Sequence, residues 1–182
     1  MNALIIIGAV IVLFLIIVAM RPSEFRVARS TTIAAPPEMI FPLVNELKNW
    51  EAWNPWGKID PNMKLTYEGP ASGVGAVNAW VGNNKVGEGR MEIIESCPNE
   101  LIRFKLDFYK PMAGTSIAEF TFKPEGNQTV VTWTMSGKNN FMAKAFGLFV
   151  SCDKMIGSQF EKGLTDMKAA AEAEVKLRAV PA

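Results

Sequence analysis

The sequence predicts an α+β fold: a curved antiparallel β-sheet wrapped around a long C-terminal α-helix and preceded by one transmembrane helix. Three observations carry this expectation. From Lys154 to Leu177, the residues Ile156, Phe160, Leu164, Met167 and Ala171 recur at three- and four-residue spacing, which is one apolar stripe of a helix. Between Met63 and Gly137 lie six short stretches punctuated by Gly, Pro and Asn, and the later ones alternate apolar and polar residues, as antiparallel strands with one wet face do. From Ala3 to Met20 no residue is charged. The helix stripe and the apolar sheet face must bury each other.

In chain order, the apolar run comes first. As a helix, Ala3 to Met20 is about 27 Å long, enough to cross the hydrocarbon layer. A cleaved leader would carry a positive residue before the run and small residues at its exit, but the exit reads Val18-Ala19-Met20-Arg21. The expectation is therefore an uncleaved anchor over residues 1–22 and a folded domain over 23–182. Arg21, Arg26 and Arg29 all follow the span, so the positive-inside rule places a single-pass membrane protein with its domain in the cytoplasm.

Phe25 to Ile33 reads as a first strand, and Pro36-Pro37-Glu38 opens a helix that runs to Leu47. Trp50, Trp53 and Trp56 are three of the five tryptophans and share one side of a helical turn, which Pro55 and Gly57 are expected to end. They plug one end of the core or form the lip of a pocket, and both roles can hold together. Strands follow at Met63–Glu68, Val74–Val81, Val86–Glu95, Leu101–Tyr109, Ser116–Lys123 and Thr129–Gly137. Trp80 is expected to point inward. Phe141 to Val150 reads as a short, very apolar helix that packs as a lid or meets the bilayer surface.

Composition excludes several functions. Net charge over the 182 residues is +1, which gives no argument for nucleic acid. Histidine is absent, so neither imidazole ligation nor the usual proton shuttle is available. Cys97 and Cys152 lie too far apart for a metal-ligand pair and are expected to be reduced. No nucleophile–base pair or carboxylate dyad stands out. No catalytic residue, metal or cofactor is therefore expected.

One strand, two short helices, six strands and a long last helix is the order of the helix-grip fold. The chain resembles the START-like, Bet v 1-like (SRPBCC) superfamily, and within it the bacterial polyketide cyclase/dehydrase-like proteins. The resemblance covers Phe25 to Glu174. It rests on Ile33-Ala34-Ala35-Pro36-Pro37-Glu38, Trp50-x-x-Trp53-Asn54-Pro55-Trp56, Gly73-Val74-Gly75-Ala76, Gly87-x-Gly89-x-Met91-x-Ile93, Thr129-Val130-Val131-Thr132-Trp133 and Phe160-Glu161-x-Gly163-Leu164. It implies a cavity between the sheet and the last helix.

The inward positions then supply the lining: Trp56, Trp80, Met91, Phe104, Phe108, Phe120, Trp133, Met135, Phe160 and Leu164. Such a pocket suits an apolar small molecule or lipid. Arg29, in phase with Val27 and Thr31, is the polar residue that most needs a partner there, because a buried guanidinium requires a carboxylate or an anionic ligand. Asn78 and Glu88 are further polar candidates. The function expected is a membrane-anchored binding module. The alternatives are an interaction or regulatory domain with a residual pocket and no identified protein partner, or a cyclase or dehydratase that works through pocket shape.

Overall fold

Helix α1 (Asn2–Ala19) leads into strand β1 (Glu24–Ile33), then α2 (Pro37–Asn45), a 3-10 turn over Leu47–Ala52 and the short α3 (Pro55–Ile59). Strands β2 (Lys64–Glu68), β3 (Val77–Val81), β4 (Glu88–Cys97), β5 (Leu101–Lys110), β6 (Gly114–Glu125) and β7 (Gln128–Lys138) follow, and α4 (Phe141–Phe146) and α5 (Cys152–Ala179) close the chain. The computed structural model describes residues 2–179.

The strands form one seven-stranded antiparallel sheet in the order β1-β7-β6-β5-β4-β3-β2. Hairpins join consecutive strands, and β1 closes the far edge by pairing with β7, from Glu24 opposite Lys138 to Ile33 opposite Thr129. Two register shifts in β4, at Glu88/Gly89 and Ile93/Glu95, bend the strand and help the sheet curve. The alternation read from sequence appears as burial. Ile102 and Phe104, Ala118, Phe120 and Phe122, and Val131, Trp133 and Met135 all face inward and are buried.

Helix α5 buries Phe160, Leu164, Met167 and Ala171, while Glu161 and Lys162 on its other side are exposed. It packs chiefly on β1, flanked by α2 and α3, and not across the middle of the sheet. That placement puts α5 over the β1 side of the concave face and, among the described residues, not over β3–β5.

Several boundaries differ from the sequence expectation. Strand β3 starts at Val77, because Gly73 and Gly75 take φ of 76° and 86°, a left-handed turn that glycine alone enters freely. Pro55 opens a helix where it was expected to end one: Asn54 accepts a hydrogen bond from the Trp56 amide and caps α3, and proline suits the first helical position. The helix expected over Phe141–Val150 stops at Phe146, and Gly147 begins a turn.

The N-terminal apolar run folds as helix α1, Asn2–Ala19. Among the described residues, no helix is long and apolar enough to cross a membrane. Nor is α1 separate from the domain, since it meets α4 and Val18 is fully buried. Cys97 is a free, half-buried thiol, whereas the side chain of Cys152 lies outside the described residues.

Candidate functional site

The inner face of the sheet has two halves. In the half under α5, the 3-10 turn inserts Trp50 and Trp53. Their indole N–H groups donate to the carbonyls of Val44 at 2.9 Å and Leu43 at 2.8 Å, which satisfies both donors and fixes both rings inward. Trp133 stacks on Phe160 at 3.9 Å between centroids and on Phe120 at 4.7 Å. Trp50 meets Phe104 edge-on at 5.4 Å, and Trp53 meets Trp133 at 5.6 Å. Gly163 lets α5 come this close: a Cβ there would lie 3.0 Å from the Trp133 ring and 3.1 Å from Pro55.

A cavity was expected between the sheet and α5 around Phe104, Phe120, Trp133, Phe160 and Leu164. The structure fills that space with the aromatic rings themselves. Trp56 sits at the margin, half-buried, 5.7 Å from Trp133. One polar atom inside this half lacks a partner among the described residues, the buried Nε1 of Trp133.

The other half is the inner face of β3, β4 and β5. The register sets Asn78 opposite Met91 and Trp80 opposite Gly89, so both point inward with Met91 and Ile93. Gly89 is required there, because a Cβ would run into the Trp80 ring. Trp80 packs edge-on to Phe108 at 5.8 Å. Met91 and Met135 are buried, but Trp80, Leu106 and Phe108 are only half-buried. Asn78 is a buried polar side chain of this surface, and Ser116, on the neighbouring strand β6 opposite Leu106, is buried too. Sequence reasoning did not single out Leu106 and Ser116 as lining residues, although both stand in phase with inward neighbours, Phe104 and Ala118.

Arg29 faces α5 as its phase requires, yet it sits at the sheet edge. Its Nε donates to Glu161 at 2.6 Å and its Nη2 to Asp153 at 3.0 Å. These bonds push the guanidinium above its ordinary pKa, and the same contact holds the Asp153 carboxyl below its own. Gly157 makes the room, because a Cβ at that position would overlap the guanidinium. Arg29 therefore clamps α5 to β1 and is not a polar residue inside a pocket. Glu88 pairs instead with Lys110 at 2.7 Å, so the two charges do not form one site.

Two surface concavities lie elsewhere. One of about 470 Å³ lies between the exit of α1 and α4. A smaller one of about 250 Å³ lies beside Leu47, Tyr67, Pro70 and Val77. Burial, and then the contact with Glu51, pushes the Tyr67 phenol up to about 12. Among the described residues, no group of three His, Cys, Asp or Glu side chains converges as a metal site.

The sequence pattern of the family described as "Polyketide cyclase / dehydrase and lipid transport" matches residues 24–172. Protein CV1439 from Chromobacterium violaceum superposes with a TM-score of 0.58 at 16% identity, over 84% of this chain and 99% of that one. The Aha1 dimer protein from Colwellia psychrerythraea superposes at 0.58 and 18%, over 81% and 96%. Major latex-like protein 151 from Panax ginseng superposes at 0.56 and 15%, over 82% and 99%. Identities this low establish a shared helix-grip fold. No curated protein matches the chain.

Proposed function

Because the chain belongs to the polyketide cyclase/dehydrase and lipid transport family, we propose that it binds one apolar small molecule or lipid, and that the molecule lies on the open half of the concave face. The observation that carries this is the half-burial of Trp80, Leu106 and Phe108 on an inner sheet face that α5 does not roof. Apolar side chains at the centre of a concave face gain by being covered, at roughly 25 cal/mol for each Å² removed from water. The rings of Trp80 and Phe108 supply the platform. The Asn78 amide and the Ser116 hydroxyl supply the few polar contacts that orient a ligand. The packed aromatic half serves as the rigid floor.

The test is native mass spectrometry of the full chain extracted from its membrane fraction. The reading expects a co-purified apolar molecule that is lost in Trp80→Ala and retained in Lys162→Ala. A second reading, an interaction domain with a residual pocket, draws on the aromatic filling under α5. A bare mass for the wild-type protein would move the weight to it.

The N-terminal helix is read as a single-pass anchor over residues 1–22, with the domain on the cytoplasmic side. In support, Ile5 to Ile17 keep large apolar side chains exposed along α1, and Arg21, Arg26 and Arg29 follow the helix. A membrane-impermeant amine label applied to intact cells should leave the domain lysines untouched. Efficient labelling would reverse the orientation.

A further inference from the structure

Helix α4 and the turn after it carry Phe141, Met142, Phe146 and Phe149. Met142 and Phe146 lie four residues apart on one side of α4, Phe149 follows in the turn, and all four are exposed, Met142 at 66% and Phe149 at 81%. Helix α4 meets α1, which also carries a run of bare apolar side chains. Beneath it is the 470 Å³ concavity, whose wall includes Arg21, Lys144, Phe149 and Ser151. Two hydrogen bonds tie α4 to the chain leaving α1: Arg21 Nη2 donates to the Gly147 carbonyl at 3.0 Å, and Lys144 Nζ donates to Ser23 Oγ at 2.9 Å.

Charge is uneven here. Residues 21–26 and 136–151, which the pairing of β1 with β7 brings together, hold the cations Arg21, Arg26, Lys138 and Lys144 against the single acid Glu24. The chain as a whole carries only +1.

We propose that α4 is a second membrane contact: Met142, Phe146 and Phe149 enter the acyl boundary, and the concavity between Arg21 and Lys144 receives the phosphate-bearing headgroup of an acidic phospholipid. Bare aromatic and sulfur side chains beside a cluster of cations are what an interfacial segment presents to an anionic leaflet. The occupant is the bilayer surface, because the face continues the apolar surface of α1 and the cations match an anionic headgroup. The inference rests on reading α1 as the anchor. It deepens that reading by fixing which face of the domain meets the lipid, and it holds the open ligand groove near the membrane.

Hydrogen-exchange mass spectrometry tests it on the full chain in nanodiscs of phosphatidylcholine, with and without phosphatidylserine. Exchange across 141–151 should slow by roughly tenfold when phosphatidylserine is present, since each Lys or Arg near an anionic surface contributes several-fold. The Arg21→Gln/Lys144→Gln double variant should erase that difference, and Phe149→Asn should weaken protection in both discs. Peptides from α1 should be protected in both, whatever happens at α4. Open exchange over α1 overturns the anchor and this proposal together. A protected α1 with equal exchange of 141–151 in the two discs overturns this proposal alone. So does protection that depends on protein concentration in detergent, which would assign the face to a second copy of the chain.

Discussion

The two halves of the concave face are built from the same strands by the same alternation, yet one is solid and the other is open. Under α5, inward positions carry Phe104, Phe120 and Trp133, and the chain adds Trp50 and Trp53 from a turn and Phe160 from the helix. Over β3–β5, inward positions carry buried Asn78 and Met91 and half-buried Trp80, Leu106 and Phe108, and among the described residues α5 packs on β1 and not on them. Strand alternation decides which side chains face inward. What the connecting segments bring to the face decides whether those side chains become core or binding surface.

The largest effect should come from hollowing the solid half. Phe120→Ala removes a fully buried ring that touches Trp53, Trp133 and Phe104, and should cost about 3–5 kcal/mol in denaturant unfolding. A cost near 1 kcal/mol would mean that this half is looser than its ring contacts imply. On the helix side, Leu164→Ala should cost about 2–5 kcal/mol, whereas Lys162→Ala, on the exposed side, should stay within about 0.5 kcal/mol. Equal costs would show α5 to be rotated.

The open half should behave in the opposite way. Trp80→Ala removes a half-buried ring, so its stability cost should fall below that of Phe120→Ala, at about 1–2 kcal/mol, while binding of an apolar ligand should be lost. A stability cost as large as that of Phe120→Ala would make Trp80 a core residue and dissolve the contrast.

The smallest effect lies at β2, the sheet edge next to the open half, where Tyr67 hydrogen-bonds Glu51 at 3.1 Å. Its folded pKa of about 12 lies above the ordinary value of 10.0. The stabilisation this reflects is therefore present in full below pH 10 and is lost as pH rises through about 12. Tyrosinate absorbance of a Tyr109→Phe variant, which isolates Tyr67, should rise late, near pH 12. A midpoint near 10 would place Tyr67 in water.

The fold was readable because it is written in periodicities. The stripe Phe160, Leu164, Met167 and Ala171 and the alternation in β5 to β7 both survive as burial. The site was less readable, because a filled space and a cavity have the same inward positions. Phe104 and Phe108 sit in one alternating run, and they differ in their neighbours: Phe104 meets Trp50 and Phe120, whereas Phe108 meets Trp80. Arg29 shows the same limit. Its phase was evident, but its partners Asp153 and Glu161 are more than a hundred residues away. Gly157, which admits it, leaves no periodic mark.

The central claim is that ligand occupies the β3–β5 half and leaves the aromatic half untouched. The five tryptophans are distributed for a direct test, with Trp80 in the open half and Trp50, Trp53 and Trp133 in the solid one. The full chain, labelled with 5-fluorotryptophan and held in nanodiscs, should give one fluorine resonance for each. On addition of N-phenyl-1-naphthylamine, the Trp80 resonance should move while those of Trp50 and Trp53 stay in place. Movement of Trp50, Trp53 and Trp133 with Trp80 unchanged would contradict the account, because the ligand would then lie in the half described here as solid.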